Sequence, residues 1–491
     1  MQLDFQAGPA GETRDAGREE TESPGTASGP ESPAKTDRLM EEICERENLK
    51  EALRRVKANK GSGGVDGMSI GGITDYLKQH WPAIRERLLN GTYEPKPVRR
   101  VEIPKPDGGV RKLGIPTVLD RLIQQAVMQV LQRKWDRTFS QYSYGFRPGR
   151  SAHQAVAQAQ QYIAEGYGWC VDFDLEKFFD RVNHDKLMGQ IAKRVEDKRL
   201  LKLIRAFLDA GVMENGLLSP SVKGTPQGGL LSPLLSNLVL DELDRELERR
   251  GHRFVRYADD SNIYVRSERA GQRVMESITR FIMQKLKLKV NEAKSTVARP
   301  QDRKFPGFSF TAGPEIKRAI APKALDRFKG RVREITRRAK GVSIETTIEE
   351  LAPYMRGWRN YFGFCETPWV LVSLTRWVRL RLRAALWRQW KTPRRRRAAL
   401  LELGVGLRLA NNPPVAPEAP DFQPHPDLEA QNEPVETKLT GSVALHLPPC
   451  ETRVHNPHSI LYAALPPISQ PAKPIPTTAI EAPAKVHSAV S

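Results

Sequence analysis

Three aspartates in two separate stretches of the sequence have the type and spacing to bind divalent cations. Asp259 and Asp260 are adjacent, and Asp174 lies upstream, directly after the mostly apolar stretch 169–173. Side-by-side carboxylates repel each other and are costly to desolvate, and a cation that prefers hard oxygen ligands, such as Mg²⁺, relieves both costs. Two-metal chemistry requires carboxylates from separate strands that converge on ions about 4 Å apart. The alternative is a solvated Asp-Asp turn between two ordinary strands.

The elements that must position these carboxylates are strands. Residues 254–265 place β-branched and aromatic side chains on both sides of Asp259 and Asp260. Because Asp tolerates turn dihedrals, this pattern predicts a strand, a tight turn and a second strand. The stretch 169–173 predicts another strand that delivers Asp174 at its end. The interval between the two stretches leaves room for a helix, a turn and a second helix.

Composition and charge indicate a polyanionic partner. The 491-residue chain is long enough for two or three domains with their own cores. It carries 78 Lys and Arg against 58 Asp and Glu, a formal charge of +20, which favours nucleic acid or an anionic membrane surface. No apolar run approaches the roughly 20 residues of a membrane span, and the N-terminus has no signal-peptide core, so we expect a cytoplasmic protein without membrane contact. The four cysteines form no C-x-x-C pair, which argues against structural zinc.

Both ends of the chain are predicted to be disordered. Residues 1–36 are rich in Gly, Pro, Ser, Thr and Glu, so they cannot bury enough apolar surface to offset their ordering entropy. From about residue 411 the sequence is Pro-rich, and 16 of the 37 prolines lie in the last 81 residues, which argues against a packed domain there. Next to the N-terminal segment, apolar residues from Leu39 to Val56 fall near helical spacing and predict one amphipathic helix.

A charged hairpin and a Gly-rich block are candidates for contacts with nucleotides. Residues 101–116 predict a β-hairpin closed by Asp-Gly, whose arms present Lys105 and Arg111. Cations on such a hairpin suit a triphosphate, since charge develops there during phosphoryl transfer. The alternative is a solvated, charged edge hairpin. Residues 224–237 predict a tight turn in which Gln227 can hydrogen-bond to nucleotide or template, with a plain Gly-rich helix start as the alternative.

The sequence between residues 120 and 250 also predicts two helices and contains an arginine with two candidate partners. Residues 120–135 predict a helix with one buried face, and a second predicted helix begins at Ser232 and runs to about residue 250. The block 143–151 combines aromatic residues with a tight turn and two arginines. Within it, Arg147 has two open alternatives, a template phosphate or a nearby carboxylate.

Residues from about 320 to 398 predict several helices dense in Arg and Trp. Between residues 371 and 397 there are ten Lys and Arg and no acidic residue. One helical stripe is apolar and is predicted to pack inward: Trp377, Leu380, Ala384 and Trp387. The stripe beside it carries Arg376, Arg379 and Arg383, an arginine ridge that would face outward and track phosphates. The alternative, a merely soluble charged helix, would normally interleave Glu.

Over about residues 38–398 these blocks follow the order found in group II intron-encoded reverse transcriptases and maturases, and the chain resembles that family. Asp174 matches the family's first metal-binding aspartate, and the Tyr-Ala-Asp-Asp segment 257–260 matches its signature hairpin. The segment 304–310 resembles the short hairpin that grips the primer, and 354–362 resembles the signature of the maturase thumb.

The resemblance implies an α+β fold, in which a right-hand polymerase with fingers and palm precedes an α-helical thumb/maturase domain, with disordered N- and C-terminal tails. The implied boundaries are 1–36 for the N-terminal segment, 37–312 for fingers and palm, 313–398 for the helical RNA-binding thumb/maturase domain, and 399–491 for the Pro-rich tail. The implied activity is RNA-directed DNA polymerisation, in which a DNA primer is extended with dNTPs on intron RNA. Binding of intron RNA would also assist splicing and mobility.

The resemblance also assigns site residues. Asp174, Asp259 and Asp260 would be catalytic and, with Leu175, would hold two Mg²⁺ ions. The residues implied to contact the nucleotide are Lys105, Arg111, Phe179, Gln227 and Lys294. Phe179 would lie under the sugar and exclude a 2′-hydroxyl, whereas Lys294 has a solvated loop lysine as its alternative. The residues implied to bind RNA are Arg356, Trp358, Arg376, Arg379 and Arg383.

Two other functions compete with this interpretation. The same enzyme fold serves other elements, such as retrons and diversity-generating or CRISPR-associated systems, but the Arg-Gly-Trp block at 356–358 speaks against them. A non-enzymatic RNA-binding splicing factor would not need the three intact aspartates. Many relatives continue with a DNA-binding segment or a Cys/His-bearing endonuclease, and the tail after residue 399 has no metal-ligand spacing, so we do not expect autonomous target-site cleavage. A homodimer stays an open alternative to a monomer.

Overall fold

The computed structural model describes residues 38–104, 109–214, 217–219, 224, 228–337, 341–402, 404 and 406–411. These residues form two compact units. One comprises 38–326 together with Phe364–Thr367, and the other comprises Arg327–Gly363 together with the described residues from 368 to 411. The predicted disordered segment 1–36 and the tail beyond residue 411 lie outside the described residues. In the described part, no helix is long and apolar enough to cross a membrane.

A hydrophobic core that runs from Leu39 to Val290 takes residues from most helices of the first unit. In chain order they are α1 (Leu39–Ile43), α2 (Arg46–Ala58), α3 (Ile73–Leu89), α4 (Val118–Trp135), α5 (Ala152–Ala164), α6 (Phe178–Arg181), α7 (His184–Ala192), α8 (Lys198–Asp209), α9 (Ser232–Arg249) and α10 (Glu268–Phe281). α10 continues into a π-helical turn at Ile282–Leu286. α4 and α9 confirm the two helices predicted for these parts of the chain.

Among the described residues, the strands form two four-stranded sheets and one small hairpin. In chain order they are β1 (Val98–Pro104), β2 (Val110–Ile115), β3 (Trp169–Phe173), β4 (Val212–Glu214), β5 (Leu217–Ser219), β6 (Arg253–Tyr257), β7 (Asp260–Val265), β8 (Thr296–Ala298), β9 (Phe308–Phe310) and β10 (Arg318–Ile320). The sheet orders are β6-β7-β3-β8, which we call the central sheet, β2-β1-β4-β5 and β10-β9.

The central sheet is the element that positions the aspartates. β7 pairs antiparallel with β6 on one side and with β3 on the other, so the predicted strand–turn–strand and the predicted upstream strand are both confirmed. Five consecutive residues of β7 are buried rather than every second one. α5, α9 and α10 all pack against strands of this sheet, which accounts for the burial of successive residues of β7, Ser261 and Asn262 included.

The second sheet contains the predicted charged hairpin and an extension that was not predicted. β1 and β2 pair antiparallel, which confirms the hairpin, and its turn at 105–108 lies outside the described residues. β4 pairs in parallel with β1 through Val98 and Val212, and β5 returns antiparallel to β4. These three-residue strands are too short to leave a periodic signal, and β4 has its partner β1 more than 100 residues away in the chain.

The N-terminal stretch predicted as one helix is two helices, so that prediction was wrong. α1 and α2 are separated at Glu45, whose backbone is extended with a ψ of 142°. The Asn48 side chain donates to the carbonyl of Ile43 at 3.0 Å and to the carbonyl of Ala126 at 3.1 Å. These bonds satisfy the carbonyl groups at the break and tie it to α4. Such a tertiary contact overrides local spacing and is invisible in the apolar pattern.

The second unit is helical, which confirms the several helices predicted there. α11 (Pro322–Ile335) leads into it, and the remaining helices are α12 (Ile344–Phe362), α13 (Pro368–Gln389), α14 (Pro393–Glu402) and α15 (Leu407–Asn411). Aromatic rings join α11 to α12: the Phe328 ring lies 4.4 Å from that of Trp358 and 5.8 Å from that of Tyr354. Within α12, the Trp358 ring lies 4.7 Å from that of Phe362. The exact domain boundaries given above stay predictions.

Candidate active site

The β6–β7 hairpin turns through two residues, Ala258 and Asp259. Tyr257 and Asp260 form the last pair of the ladder, so Asp259 lies at the tip and Asp260 at the first position of β7. Ala258 has a left-handed backbone with φ of +59°. Two-residue hairpins need positive φ, which Gly or Asn usually supplies, and for a residue with a side chain it costs about 1 kcal/mol or more. The surroundings of the turn must therefore hold it in place.

β3 delivers Asp174 to the same end of the central sheet. The register pairs Phe173 with Ser261, and one further step along both chains sets Asp174 opposite Asp260. The backbone of Asp174 is fixed on both sides. Its NH donates to the Ser295 hydroxyl at 3.0 Å, and its carbonyl accepts from the NH of Asn291 at 2.8 Å.

Leu175 continues this anchoring along the chain. Its backbone forms an isolated bridge with Val290, and the NH of Glu176 donates to the carbonyl of Lys289 at 2.8 Å. The residues that follow leave the sheet in a turn, where Lys177 has a φ of +48°. The strand end that carries Asp174 is therefore fixed by backbone hydrogen bonds to residues 289–295 as well as by its pairing with β7.

The carboxylates at this end of the sheet repel one another. Desolvation, and then the charges of Asp259, Asp172 and Asp174, raise the pKa of Asp260 from its ordinary 3.8 to about 7. Because the Asp260 side chain is exposed to solvent, we attribute the raised pKa more to repulsion by the neighbouring carboxylates than to desolvation. A cation bound among these groups would offset the repulsion and favour the ionised form.

Asp172 is a fourth acidic residue at the site that the sequence pattern did not single out. It lies two positions before Asp174 and so on the same face of the strand, which is the signal that could have found it. Burial raises its pKa and Asp174 adds to the rise, whereas Arg303 opposes it. Arg303 forms two hydrogen bonds with the Asp172 carboxylate, of which that from Nε is 2.9 Å long. Arg303 was not predicted either.

The donor set suits a hard divalent cation. Carboxylate oxygens and a backbone carbonyl are the ligands that Mg²⁺ prefers, and the mutual repulsion at Asp260 is the strain that such an ion would relieve. Within the described ranges, however, no three His, Cys, Asp or Glu side chains lie close enough as they stand to hold an ion. The fit of this site to Mg²⁺ therefore rests on the type of its donor atoms and on the mutual repulsion of its carboxylates.

Of the residues predicted to contact a nucleotide, Phe179 lies in the segment of chain that follows Asp174, and its role stays a prediction. Phe179 is five positions after Asp174 in the sequence and is half-buried. Its ring packs edge-on against that of Phe178, with ring centroids 5.2 Å apart. Its carbonyl faces Gly224, where a Cβ would lie only 2.8 Å from that oxygen and where φ is +92°. The Gly-rich block thus begins directly against the Phe179 turn.

The other predicted nucleotide contacts are less well defined. Lys294 is exposed in the turn that precedes Ser295. Arg111 lies in β2 opposite Ile103, but its side chain is outside the described residues, as are Lys105 and Gln227 altogether. These residues stay predictions.

Arg147, in the block 143–151, pairs with a nearby carboxylate, which was one of its two predicted alternatives. Arg147 is buried, and its guanidinium donates to the Asp136 carboxylate at 2.9 Å and to the carbonyl of Ser143 at 3.0 Å. It also bonds to the carbonyl of Ser140. A guanidinium enclosed in this way braces the loop before the hairpin and is not available to a template phosphate.

The arginine ridge on α13 faces solvent. Arg376, Arg379 and Arg383 are exposed, on the side of the helix opposite the buried residues Leu374 and Trp377. Of the apolar stripe predicted beside the ridge, Trp377 and Ala384 are buried and Leu380 and Trp387 are half-buried. The buried face of α13 is centred nearer Leu374 and Val378 than predicted.

The two residues predicted to bind RNA from α12 differ in environment. Arg356 is exposed, whereas Trp358 is half-buried in the aromatic contacts with Phe328 and Phe362. Trp358 therefore has a packing role in the second unit. Its contact with RNA stays a prediction.

Two family models match the chain. Residues 103–310 match the reverse transcriptase (RNA-dependent DNA polymerase) family, and residues 325–402 match the group II intron maturase-specific domain. A solved chain of a partial Cas6-RT-Cas1–Cas2 complex aligns at 24% identity over 50% of this chain and 42% of its own, with a TM-score of 0.33, which is too low to support an argument about fold or element.

Several curated proteins are similar to this chain in sequence. Protein YkfC of Escherichia coli (strain K12) is 39% identical over 43% of this chain and 58% of its own length. Group II intron-encoded protein LtrA of Lactococcus lactis subsp. cremoris is 31% identical over 52% of this chain and 54% of its own. The putative COX1/OXI3 intron 2 protein of Saccharomyces cerevisiae is 33% identical over 40% of this chain and 23% of its own. The chain thus spans little more than half the length of the first two relatives.

The two matched regions lie in the order in which the central sheet and the helical unit occur along the chain. The chain therefore contains a reverse transcriptase domain followed by a group II intron maturase-specific domain, and it is similar to group II intron-encoded protein LtrA.

Proposed function

We propose that this protein is an RNA-directed DNA polymerase encoded by a group II intron, which extends a DNA primer with dNTPs on intron RNA and binds that RNA to assist splicing and mobility. One observation carries the polymerase part. The register of β3 against β7 sets Asp174 opposite Asp260, beside the turn that presents Asp259. Carboxylates from two strands at one end of a sheet are what two-metal nucleotidyl transfer requires.

In this proposal Asp174, Asp259 and Asp260, with the carbonyl of Leu175, hold two Mg²⁺ ions. When bound, Mg²⁺ supplies charge that favours the ionised primer 3′-hydroxyl and the leaving oxygen of the dNTP. The chain supplies fixed geometry. Ser295 and Asn291 hold the backbone of Asp174, and the ladder between Tyr257 and Asp260 holds the hairpin, so that the carboxylates need little reorganisation before reaction.

The nucleotide would bind between this site and the charged hairpin. Lys105 and Arg111 would contact the triphosphate, with Lys294 beside it, and Gln227 would contact the nucleotide or the template. Phe179 would exclude a 2′-hydroxyl by its bulk. Its position one turn after Asp174, with its ring supported by Phe178, supports that role.

The second unit would bind intron RNA. The arginine ridge presents three guanidinium groups to solvent on a helix without acidic residues, which is a suitable surface for phosphates. Arg356 adds a further exposed charge on α12. The maturase-specific domain matched here supports RNA binding as the function of this unit.

The decisive experiment is primer extension on an RNA template by Asp259→Asn. Because the substitution removes one anionic ligand and leaves the basic surfaces intact, we expect no dNTP incorporation above background and RNA affinity within about twofold of wild type. Asp75→Asn is the matched control, because Asp75 is an exposed aspartate on α3, paired only locally with Lys78. Near-normal extension by Asp259→Asn would refute the assignment of the site.

A further inference from the structure

One arginine next to the active-site turn is completely enclosed. Arg256 lies in β6 and has no exposed surface, and its partner Asp244 in α9 has none either. The guanidinium donates to both carboxylate oxygens, at 2.8 Å from Nε and 2.6 Å from Nη2. Burial raises the pKa of Asp244, and the two-pronged contact with Arg256 opposes that rise.

The remaining arm of this guanidinium reaches the hairpin turn. Nη1 of Arg256 donates to the carbonyl of Ala258 at 2.8 Å and to the side-chain oxygen of Asn237 at 3.0 Å. Asn237 in turn donates to the carbonyl of Gly145 at 2.9 Å. Arg256 therefore connects α9 to the turn that carries Asp259, and Asn237 extends this network to the block 143–151.

The contact with the Ala258 carbonyl determines where Asp259 lies. The carbonyl of Ala258 shares a planar peptide unit with the nitrogen and Cα of Asp259, so a fixed carbonyl oxygen fixes the base of the aspartate side chain. Ala258 has a φ of +59°, a conformation that must be held from outside. Arg256 supplies that hold through a charge-assisted hydrogen bond.

Gly145 presses on the same turn. A Cβ at this position would lie 2.2 Å from the nitrogen of Ala258 and 2.9 Å from its Cα, so the backbone of the block 143–151 can approach the turn only because residue 145 is glycine. The turn is thus bounded by Arg256 and by the backbone of Gly145.

We propose that Arg256, held by Asp244 and Asn237, is a positioning residue that sets the location of the Asp259 carboxylate for catalysis. This inference rests on the proposed polymerase function. Stability alone does not account for the pair, since a buried ion pair is often no more stabilising than apolar residues of similar volume. The additional contact with the Ala258 carbonyl is what an apolar pair would not supply. Lysine would keep the charge but cannot bond to Asp244 twice and to Ala258 at the same time.

The test compares Arg256→Lys and Gly145→Ala with two controls in full-length protein. Gly189→Ala adds a methyl group in α7, where nothing lies within 4 Å. Ile204→Ala removes apolar volume from the core at α8, far along the chain from the turn, and lowers stability without touching the turn. For each protein, kcat and the dNTP KM are measured on an RNA template, together with Tm and its rise on adding Mg²⁺.

If Arg256 positions Asp259, Arg256→Lys and Gly145→Ala lose about 100-fold in kcat, because a displacement near 1 Å has that effect on a reacting geometry. Their dNTP KM stays within about threefold, since nucleotide-contacting groups are unchanged, and the Mg²⁺-dependent rise in Tm shrinks. Gly189→Ala behaves as wild type. Ile204→Ala loses Tm but keeps kcat and its Mg²⁺-dependent rise in Tm at a temperature where it is folded.

Three results distinguish failure of the proposed function from failure of the positioning role of Arg256. If wild type itself does not extend a primer, the proposed function fails. If wild type extends and Arg256→Lys keeps kcat within about threefold, the positioning role is refuted, and the same holds if Ile204→Ala loses kcat in proportion to its Tm. If Arg256→Lys does not fold, Asn237→Ala decides, because it leaves the ion pair intact and removes one brace of the guanidinium. A kcat loss of about tenfold in Asn237→Ala supports the proposal and an unchanged kcat overturns it.

Discussion

Replacing Arg376, Arg379 and Arg383 together with Gln should weaken RNA binding in a salt-dependent way. The three side chains lie on one exposed face of α13, and their seven-residue span covers about 10 Å of helix. If each contacts one phosphate, loss of all three reduces the slope of log affinity against log salt by about 2 to 3 units. Between 50 and 200 mM salt, wild type should then lose about 16- to 64-fold more affinity than the variant does.

The assay is equilibrium binding of a structured intron RNA at several salt concentrations. The matched control replaces Arg269, Arg273 and Arg280, three exposed arginines of α10, with Gln and so removes the same charge elsewhere. We expect the control to keep the wild-type slope. Both triple variants should unfold within a few degrees of wild type, because surface substitutions of this kind change stability by less than about 0.5 kcal/mol each.

An unchanged salt slope in the ridge variant would refute the reasoning. The ridge would then be only a solvated face, and the assignment of RNA binding to α13 would lose its physical support. An equal loss of slope in both triple variants would also count against it, since it would show that net charge rather than the ridge governs affinity. Primer extension at saturating primer-template should survive in the ridge variant, because the aspartates lie in the first unit.

Three further predictions concern the active site. Phe179→Ala should permit incorporation of ribonucleotides by removing the bulk that opposes a 2′-hydroxyl, and unchanged dNTP-over-rNTP selectivity would mean that Phe179 is core packing only. Asp260 has a pKa of about 7 when folded against 3.8 ordinarily, so the folded state retains a proton and stability falls as pH rises from about 4 to 7. Mg²⁺ binds the ionised form, so its stabilisation measured by Tm should be larger at pH 8 than at pH 6, and Asp260→Asn should abolish this difference. Gly224→Ala should lower stability by more than about 1 kcal/mol, because φ is +92° and the Cβ would lie 2.8 Å from the carbonyl of Phe179; an unaltered denaturation midpoint would contradict the described contact.

Sequence patterns were sufficient where the determinant is local. The β6–β7 hairpin, β3, α4 and α9 could all be predicted, because turn chemistry and apolar spacing specify them within a few residues. The meeting of Asp174 with Asp260 followed from strand pairing, which needed only the assumption that both strands share one sheet.

What could not be predicted depends on contacts between distant parts of the chain. The break between α1 and α2 is fixed by Asn48 and α4, and β4 finds its partner in β1 across more than 100 residues. Arg256 sits in a strand of apolar neighbours, where nothing in the local pattern indicates that Asp244 of α9 will enclose its charge. The roles of Lys105, Arg111, Gln227 and Lys294 stay predictions, because they depend on a ligand rather than on the fold.

β6 is an edge strand of the central sheet, and its position has a consequence for aggregation. An uncovered border strand offers its NH and carbonyl groups to any other chain. Here the chain covers the middle of β6 itself: the NH of Arg256 donates to the carbonyl of Tyr142 at 2.9 Å, and the NH of Tyr144 donates to the carbonyl of Arg256 at 2.8 Å. At the opposite border, β8 is only three residues long. During synthesis, residues 142–144 leave the ribosome about 110 residues before β6, so the segment that covers β6 is available for pairing as soon as that strand emerges.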